Sequence, residues 1–505
     1  MLKIRRALIS VWDKRGLEEF AKKLAEFKVE IISTGKTASV LRKYNIPVKD
    51  ITSITSFPEI LSGRVKTLHP KIFGGILANK RHPLHIEEIN NLSIEPIDMV
   101  VVNFYPFEDK MKENLNIEQM VEYIDIGGPA LLRAAAKNFK NVACVSSPKQ
   151  YKEIIEELEK NKGFISEEIL RRLAEEVFYI TKNYDACIYS YFKNKELLTL
   201  DLEKISTLRY GENPHQKAKL YKQVNLEHIK FRHLQGKELS FNNLLDLDTA
   251  ILMVKEFSEP AAAIIKHGSI CGVGVDKKLS TAYKKAYCVD PISSFGGIIG
   301  LNGKVDADTA KAILKSEFKE CVAAPLFSKE ALKIFSSKKN LILLEVDMAI
   351  ISLDAPDIRS TVFGYLVQDK DNICYDKNTL KVVTKAKPSQ KQMEDLIFAW
   401  KVVKYVKSNA IVIAKNKTVL GIGGGQPSRI GAEKIAFEKV TNLPKGAVLA
   451  SDGFFPKEDS IKLASRKGIR AIIQPGGSIK DKDIIKLCDK LGICMVFTGI
   501  RHFRH

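Results

Sequence analysis

Over the first 145 residues, short runs of β-branched and aliphatic side chains alternate with segments that repeat apolar residues every three or four positions. Residues 7–11, 29–33, 99–102 and 142–145 read as buried strands, and 17–27 and 131–139 have helical spacing. Strand and helix in alternation define a parallel α/β sheet. Helical patterns over 149–191 are expected to pack against it. The stretch 198–206 has little periodicity and marks a domain boundary, after which Arg209-Tyr210-Gly211-Glu212-Asn213-Pro214-His215-Gln216 forms a polar, turn-rich loop. Two later segments share a plan: an apolar strand (262–265; 410–414), a glycine-bearing stretch (272–274; 421–425), then a helix. Internal duplication and the common strand-glycine-helix echo of α/β proteins both account for that likeness.

Length changes the picture next, because 505 residues exceed one ordinary core and predict two or three compact units. The amino-terminal apolar run is broken by Asp13-Lys14-Arg15, too early for a signal peptide, and no stretch reaches the length of a membrane span. The net charge of +20 suits nucleic acid, an anionic membrane or small polyanions. Lysines interleaved with glutamates, as in 152–160, read instead as solvated helix faces, so soluble anionic metabolites are the expected partners, with no nucleic acid and no membrane. The eight cysteines never form a Cys-x-x-Cys pair, which fits a reducing cytoplasm and indicates neither disulfide framework nor zinc ribbon.

Candidate chemistry concentrates in a few places. Ser62-Gly63-Arg64-Val65-Lys66-Thr67-Leu68-His69-Pro70 gathers cations, hydroxyls and a loop glycine suited to a phosphorylated ligand. Ile31-Ile32-Ser33-Thr34-Gly35-Lys36-Thr37 is not a Walker loop, since Glu30 stands where its first glycine belongs, yet its turn amides suit one phosphate, as do those from Ser10 to Lys14. Asn103 and Tyr105 follow a buried strand at the edge where open α/β sheets assemble sites. In Asp125-Ile126-Gly127-Gly128-Pro129, Pro129 at a first helical position makes Gly128 the expected cap, with Asp125 the alternative. Farther on, Lys266-His267-Gly268 places a cation and a titratable base at a strand end, and Gly296-Gly297 and Gly423-Gly424-Gly425-Gln426-Pro427-Ser428-Arg429 supply close-approach loops. The triple glycine lacks a dinucleotide-binding register.

Taken in order, these motifs, with Leu132-Arg133-Ala134-Ala135-Ala136-Lys137-Asn138 and Ser408-Asn409, resemble the bifunctional purine biosynthesis proteins, which combine AICAR formyltransferase with IMP cyclohydrolase. The resemblance runs from Ser10 to His505. It implies a methylglyoxal-synthase-like α/β domain over 1–197 that closes the purine ring. A formyltransferase domain over 198–505 would follow, built of two cytidine-deaminase-like subdomains split near 370–390. AICAR, FAICAR, IMP and reduced folate would be the ligands, 10-formyltetrahydrofolate the cosubstrate, no catalytic metal would be needed, and a homodimer would hold the formyltransferase sites at its interface.

The family's roles carry over residue by residue. Lys266 and His267 would transfer the formyl group, with Arg209, Tyr210, Gly296, Asn409, Arg429, Phe454 and Arg501 lining the pocket and Asp459 and His505 close by. Arg429 would serve the partner's pocket. Glu320 stands where some relatives have aspartate. For ring closure Lys66 and Tyr105 would stabilise the oxyanion and supply a proton, Asp125 and Lys137 would act at the carboxamide, and Ser10, Lys14, Thr34, Gly35, Arg64, Thr67 and Asn103 would hold substrate. Lys36 replaces a glycine common in relatives, and its added cation either strengthens phosphate binding or points into solvent. Two rivals are a phosphate-backbone-binding regulator, which lacks any basic-aromatic motif, and a protein keeping one activity with the other half as a phosphate sensor.

Overall fold

The computed structural model describes all residues except 196, 225, 227, 229, 350–354, 377 and 441. The chain divides into two compact units, Met1–Thr199 and Leu200–His505.

In the first unit a five-stranded parallel sheet comprises β1 (Arg6–Val11), β2 (Glu30–Ser33), β3 (Lys49–Asp50), β4 (Met99–Asn103) and β5 (Ala143–Val145), ordered β3-β2-β1-β4-β5. Helices α1 (Leu17–Glu26), α2 (Gly35–Lys43), α3 (Gly127–Lys137) and α4 (Glu167–Lys193) are among those around it. Its core joins Leu8, Ile9, Val100 and Val101 of the strands to Phe20 and Leu24 of α1 and Leu131 and Leu132 of α3. The strand runs expected from sequence are these strands, and the 149–191 pattern includes α4. One expectation fails: α3 begins at Gly127, and the Asp125 carboxylate accepts the Gly128 N–H at 2.8 Å, so Gly128 is inside the helix rather than its cap. A side-chain acceptor satisfies an orphan helix donor better than a glycine does.

In the second unit, residues expected to be an irregular boundary form β6 (Leu202–Leu208), antiparallel to β7 (Ala218–Gln223). β6 is exposed along nearly its whole length, so it shows no burial alternation to read. A twelve-stranded sheet follows. Its strands are β8 (Phe231–Gln235), β9 (Ala261–Lys266), β10 (Ser269–Val275), β11 (Ile298–Leu301), β12 (Cys321–Ala324) and β13 (Ile342–Val346). After the exposed hairpin β14 (Asp357–Thr361) and β15 (Gly364–Gln368) come β16 (Lys381–Val382), β17 (Ile411–Lys415), β18 (Thr418–Gly423), β19 (Val448–Ser451), β20 (Ala471–Gln474) and β21 (Cys494–Phe497). The order is β8-β13-β12-β11-β9-β10-β18-β17-β19-β20-β21-β16.

That order is one plan used twice. Helix α5 (Phe241–Lys255), hairpin β9–β10, α6 (Leu279–Tyr287), β11, α7 (Ala307–Lys315), β12, α8 (Lys329–Phe335) and β13 form one copy. Helix α9 (Gln390–Val403), hairpin β17–β18, α10 (Arg429–Glu438), β19, α11 (Glu458–Arg466), β20, α12 (Asp481–Leu491) and β21 form the other. The hairpin registers shift at matching points, between Ile264 and Ile265 and between Ile413 and Ala414. Of the two accounts left open by sequence, internal duplication is therefore the correct one. Its glycines mark close packing: a Cβ at Gly272, Gly274, Gly421 or Gly423 would come within 2.0, 2.6, 2.1 and 1.8 Å of carbonyl oxygens of α6 or α10. These positions lie in strands, and only Gly424 and Gly425 belong to a loop. The copies meet where Gly274 pairs antiparallel with Thr418, and one core, including Ala399 and Trp400 of α9 and Ala250 and Val254 of α5, runs beneath both.

Candidate active sites

In the first unit, the carboxyl ends of β1, β2 and β4 present residues from three loops, as open parallel sheets do. Ser10 and Thr34 join hydroxyl to hydroxyl at 3.1 Å. Lys14 Nζ donates to the Val11 and Trp12 carbonyls at 3.2 and 3.1 Å, and burial, then the neighbouring Lys36, lowers its pKa. Two cations side by side favour an anion between them. Lys36 thus contributes its charge to the Ser10, Lys14, Thr34 and Gly35 corner. The Glu59 carboxylate, unremarked in sequence, faces Gly35 and Gly63.

Lys66, Tyr105 and Asp125 converge electrostatically. Burial raises the Asp125 pKa, while the Gly128 N–H and the Lys66 charge act the other way. Burial, then Asp125, raises the Tyr105 pKa, keeping its phenol protonated at neutral pH. Thr67 lies against Gly127, where a Cβ would stand 3.0 Å from its hydroxyl. Arg64 forms an ion pair with Glu122.

Two candidates stand apart from this convergence. Asn103 accepts the Trp12 and Asp13 N–H groups at 2.7 and 2.8 Å and donates to the Asp13 carbonyl at 2.9 Å, so its carboxamide braces the β1–α1 turn. Lys137 is exposed in the last turn of α3, about 15 Å of helical rise from the Gly127 end that holds Asp125. Conversely, Tyr184 of α4 was not foreseen: its hydroxyl accepts the Asp125 N–H at 2.8 Å and donates to the Tyr123 carbonyl at 3.1 Å. The only sequence signal was an aromatic on a helix of mixed polarity.

In the second unit, Lys266 ends β9 and His267 begins the turn to β10 with φ 53°, followed by Gly268 at φ 66°. Asp246 of α5 fixes this turn by accepting the His267 and Gly268 N–H groups at 3.0 and 2.6 Å. The Lys266 ammonium sits 6.0 Å from the ring centre of Phe295, next to Gly296, whose φ of 72° favours glycine. Glu320 bonds through its backbone to Gly297 O and Ile342 N, which leaves its half-buried carboxylate uncommitted to that ladder. Arg209 packs over Tyr210, and their loop is tied to the start of α5 by Asn242 donating to the Glu212 carbonyl at 3.1 Å.

The second copy contributes a buried polar cluster. Arg429 donates to Ser451 at 2.7 Å, to Asp452 and to Asn409 at 2.9 Å, and is 7% exposed, so its guanidinium is committed within its own chain. β18 runs back alongside β10 and delivers the Arg429 loop to the sheet end that carries His267. The tail crosses the same region: Arg504 N donates to Ser408 Oγ, and Arg501 packs 4.2 Å over Phe503. Phe454 is half-buried, Asp459 is exposed at the start of α11, and the His505 carbonyl accepts from Arg359 at 2.8 Å. His505 lines a cavity of 760 Å³ with Asp248, Lys370 and Arg504, whose lining includes neither Lys266 nor His267. Among the described residues no His, Cys, Asp and Glu group of three or more is arranged to hold a metal, and no helix is long and apolar enough to cross a membrane.

Two α/β units, each with a polar site of its own, define a two-site enzyme. Residues 16–130 match the family model of the MGS-like domain, and residues 135–439 match that of the AICARFT/IMPCHase bienzyme. The bifunctional purine biosynthesis protein PurH of Caldicellulosiruptor bescii is 51% identical over 99% of this chain and all of its own length. Those of Anoxybacillus flavithermus and Bacillus thuringiensis (strain Al Hakam) are 49% and 47% identical, again over 99% of this chain and all of their own lengths. The chain belongs to this family of bifunctional purine biosynthesis enzymes, which join AICAR formyltransferase to IMP cyclohydrolase.

Proposed function

We propose that unit 200–505 transfers the formyl group from 10-formyltetrahydrofolate to AICAR and that unit 1–199 closes FAICAR to IMP. The observation that carries this division is that Lys266 with His267 and Lys66 with Tyr105 and Asp125 belong to separate compact units.

In formyl transfer the 5-amine of AICAR, weakened by delocalisation toward its carboxamide, attacks the formyl carbon. His267 takes the amine proton and Lys266 stabilises the charge on the formyl oxygen; N10 of the folate then leaves and is protonated. Asp246 fixes the His267 backbone N–H, and the exposed imidazole is assigned to the proton relay. Arg209, Tyr210, Gly296, Glu320, Asn409, Phe454, Asp459, Arg501 and His505 are assigned to binding. Arg429, anchored by Ser451, Asp452 and Asn409, is assigned to the same pocket or, in a dimer, to the partner's.

In ring closure proximity supplies the nucleophile, because the carboxamide nitrogen and the formyl carbon share one molecule. Asp125, made more basic by burial, accepts the carboxamide proton; Lys66 stabilises the oxyanion and Tyr105 protonates the departing hydroxyl as water leaves. Ser10, Lys14, Thr34, Gly35, Arg64 and Thr67 are assigned to the phosphoribosyl group. Asn103 supports this corner by bracing the β1–α1 turn, and Lys137 is assigned with Asp125 to the carboxamide side.

The test separates the two steps. His267→Ala abolishes folate release yet leaves cyclisation of supplied FAICAR, and Lys66→Ala does the reverse; loss of both steps in either folded variant overturns the division. A homodimer suits the β14–β15 hairpin, where Phe363 and Tyr365 are 98% and 76% exposed. Sedimentation checks that assembly, and the free thiols suit a reducing cytoplasm.

A further inference from the structure

Next to Glu320, immediately before β12, Lys319 is only 4% exposed. Its ammonium donates to the Glu317 carbonyl at 3.0 Å and, over a longer 3.5 Å, to the Phe318 carbonyl, and it lies 4.9 Å from the centre of the Tyr287 ring. Among the described residues no carboxylate forms an ion pair with it. Burying an ammonium against carbonyls and a ring is costly, and an apolar residue of similar length would fill the space at less expense. The charge therefore invites a functional explanation.

Its contacts lead to Lys266. The Phe318 carbonyl that Lys319 engages also accepts the Gly296 N–H at 2.7 Å, fixing the loop of Phe295. The Phe318 ring packs on Phe295 with centroids 5.7 Å apart, and Phe295 presents its face to the Lys266 ammonium. We infer that Lys319 is a positioning residue for formyl transfer: by clamping the Phe318 carbonyl it holds the Gly296 turn and the Phe295 ring on which Lys266 rests. The inference rests on the reading of Lys266 as the formyl-transfer cation.

The titratable groups facing Lys319 are Glu317, Lys266, the Cys271 thiol and the Tyr287 phenol. Desolvation lowers its pKa to about 8, with Lys266 acting the same way and Glu317 and Cys271 opposing. A charge-assisted hydrogen bond is about twice as strong as a neutral one, so the clamp weakens as pH rises through that value. Formyl transfer should then show an alkaline decline that cyclisation does not share.

Full-length Lys319→Met, Lys319→Arg, Phe295→Leu and Lys266→Ala variants are assayed separately for folate release from AICAR and for cyclisation of FAICAR across pH 7 to 10. Lys319→Met is expected to lower kcat for formyl transfer about 10- to 100-fold, the scale set by small misplacements, with KM for AICAR little changed. Lys319→Arg restores most of the rate and moves the alkaline decline to higher pH. Phe295→Leu, a change at a half-exposed ring, reproduces the kcat loss and remains informative if Lys319→Met does not fold. Wild-type kcat in folded Lys319→Met or in Phe295→Leu, or an unmoved alkaline limb in Lys319→Arg, with Lys266→Ala inactive, overturns the inference alone. An active Lys266→Ala overturns the reading beneath it.

Discussion

The two copies within unit 200–505 share a backbone and differ in charge. Hairpin β9–β10 turns at His267 and Gly268 with φ 53° and 66°; hairpin β17–β18 turns at Asn416 and Lys417, both with φ 52°. Asp246 grips the first turn, and Asp395 of α9 grips the second by accepting the Asn416 and Lys417 N–H groups at 2.9 and 2.8 Å. Because the copies meet antiparallel, these turns occupy opposite ends of the sheet. At the Asn416 end two cations are neutralised: Lys285 pairs with Asp276 at 2.9 Å, and Lys417 with Glu259 at 2.5 Å. At the His267 end Lys266 faces an aromatic ring. The turn geometry is thus the fold's property, and the chemistry comes from which side chains it carries and whether their charge is quenched.

The strongest way to break the comparison is His267→Asn, which gives the reactive turn its twin's residue. Asparagine tolerates positive φ better than histidine, so melting temperature should hold, while formyl transfer falls about 10²- to 10⁴-fold with loss of the base. Cyclisation should be unaffected. Equal loss in both assays would mean that the turn serves the whole chain.

Arg429→Leu comes next, because Leu279 opens α6 where Arg429 opens α10. The Asp452 side chain is fully buried and would lose its cation, at a cost of about 3–5 kcal/mol in urea unfolding. Adding Asp452→Asn, which matches Asn302 at the end of β11, should recover much of that. Asn302 shows how: its Oδ1 accepts the Ala261 N–H at 2.7 Å, and its Nδ2 donates to carbonyls after α5. A strictly additive double variant would show that the pair is not coupled.

These residues also show how far sequence reaches. The apolar runs at 262–265 and 410–414 and the polar knot at Lys266-His267 were legible because strand periodicity and residue chemistry are local. The glycines of 423–425 were legible as close-approach positions, but only the structure shows that Gly272, Gly274, Gly421 and Gly423 make room in strands for the backbone of α6 and α10. Asn103 was found at the correct sheet edge, yet its partners, Trp12 and Asp13, lie some 90 residues away in sequence. Lys137 was grouped with Asp125 by motif, and helix length separates them. Tyr184 and Lys319 sit in ordinary-looking helix and lysine-rich context, so only packing distinguishes them.

Asp246→Ala and Asp395→Ala refine the comparison at smaller magnitude. Each frees two turn N–H groups and should cost about 1–3 kcal/mol. Only Asp246→Ala should also lower formyl transfer.

A pH effect separates the copies too. Tyr283 of α6 is buried with its hydroxyl 2.6 Å from Ser316; the matching Glu433 of α10 is fully buried, faces Ser460, and has no partner at hydrogen-bonding geometry for either oxygen. Burial raises the Glu433 pKa to about 8. Its folded value exceeds the unfolded one, so the folded state holds the extra proton and stability falls as pH rises toward 8. Glu433→Gln should therefore melt higher than the parent at pH 8, by roughly 2–4 °C per kcal/mol regained, with the gap shrinking toward pH 5. A pH-independent gap would mean that the carboxyl does not titrate in this range.

The smallest expected effect is the most pointed. Asn416→His places an imidazole on the same turn geometry, with Lys415 before it as Lys266 precedes His267, so if turn and dipeptide sufficed, Asn416→His in a His267→Asn background would restore formyl transfer. It should restore nothing, because Lys415 donates to the Lys445 carbonyl, Lys285 reaches the Asn416 carbonyl at 3.1 Å, and no Arg429 loop lies beside that end. Folate release above the His267→Asn background would show that the hairpin alone carries the chemistry and that the surrounding cations and rings are scaffolding.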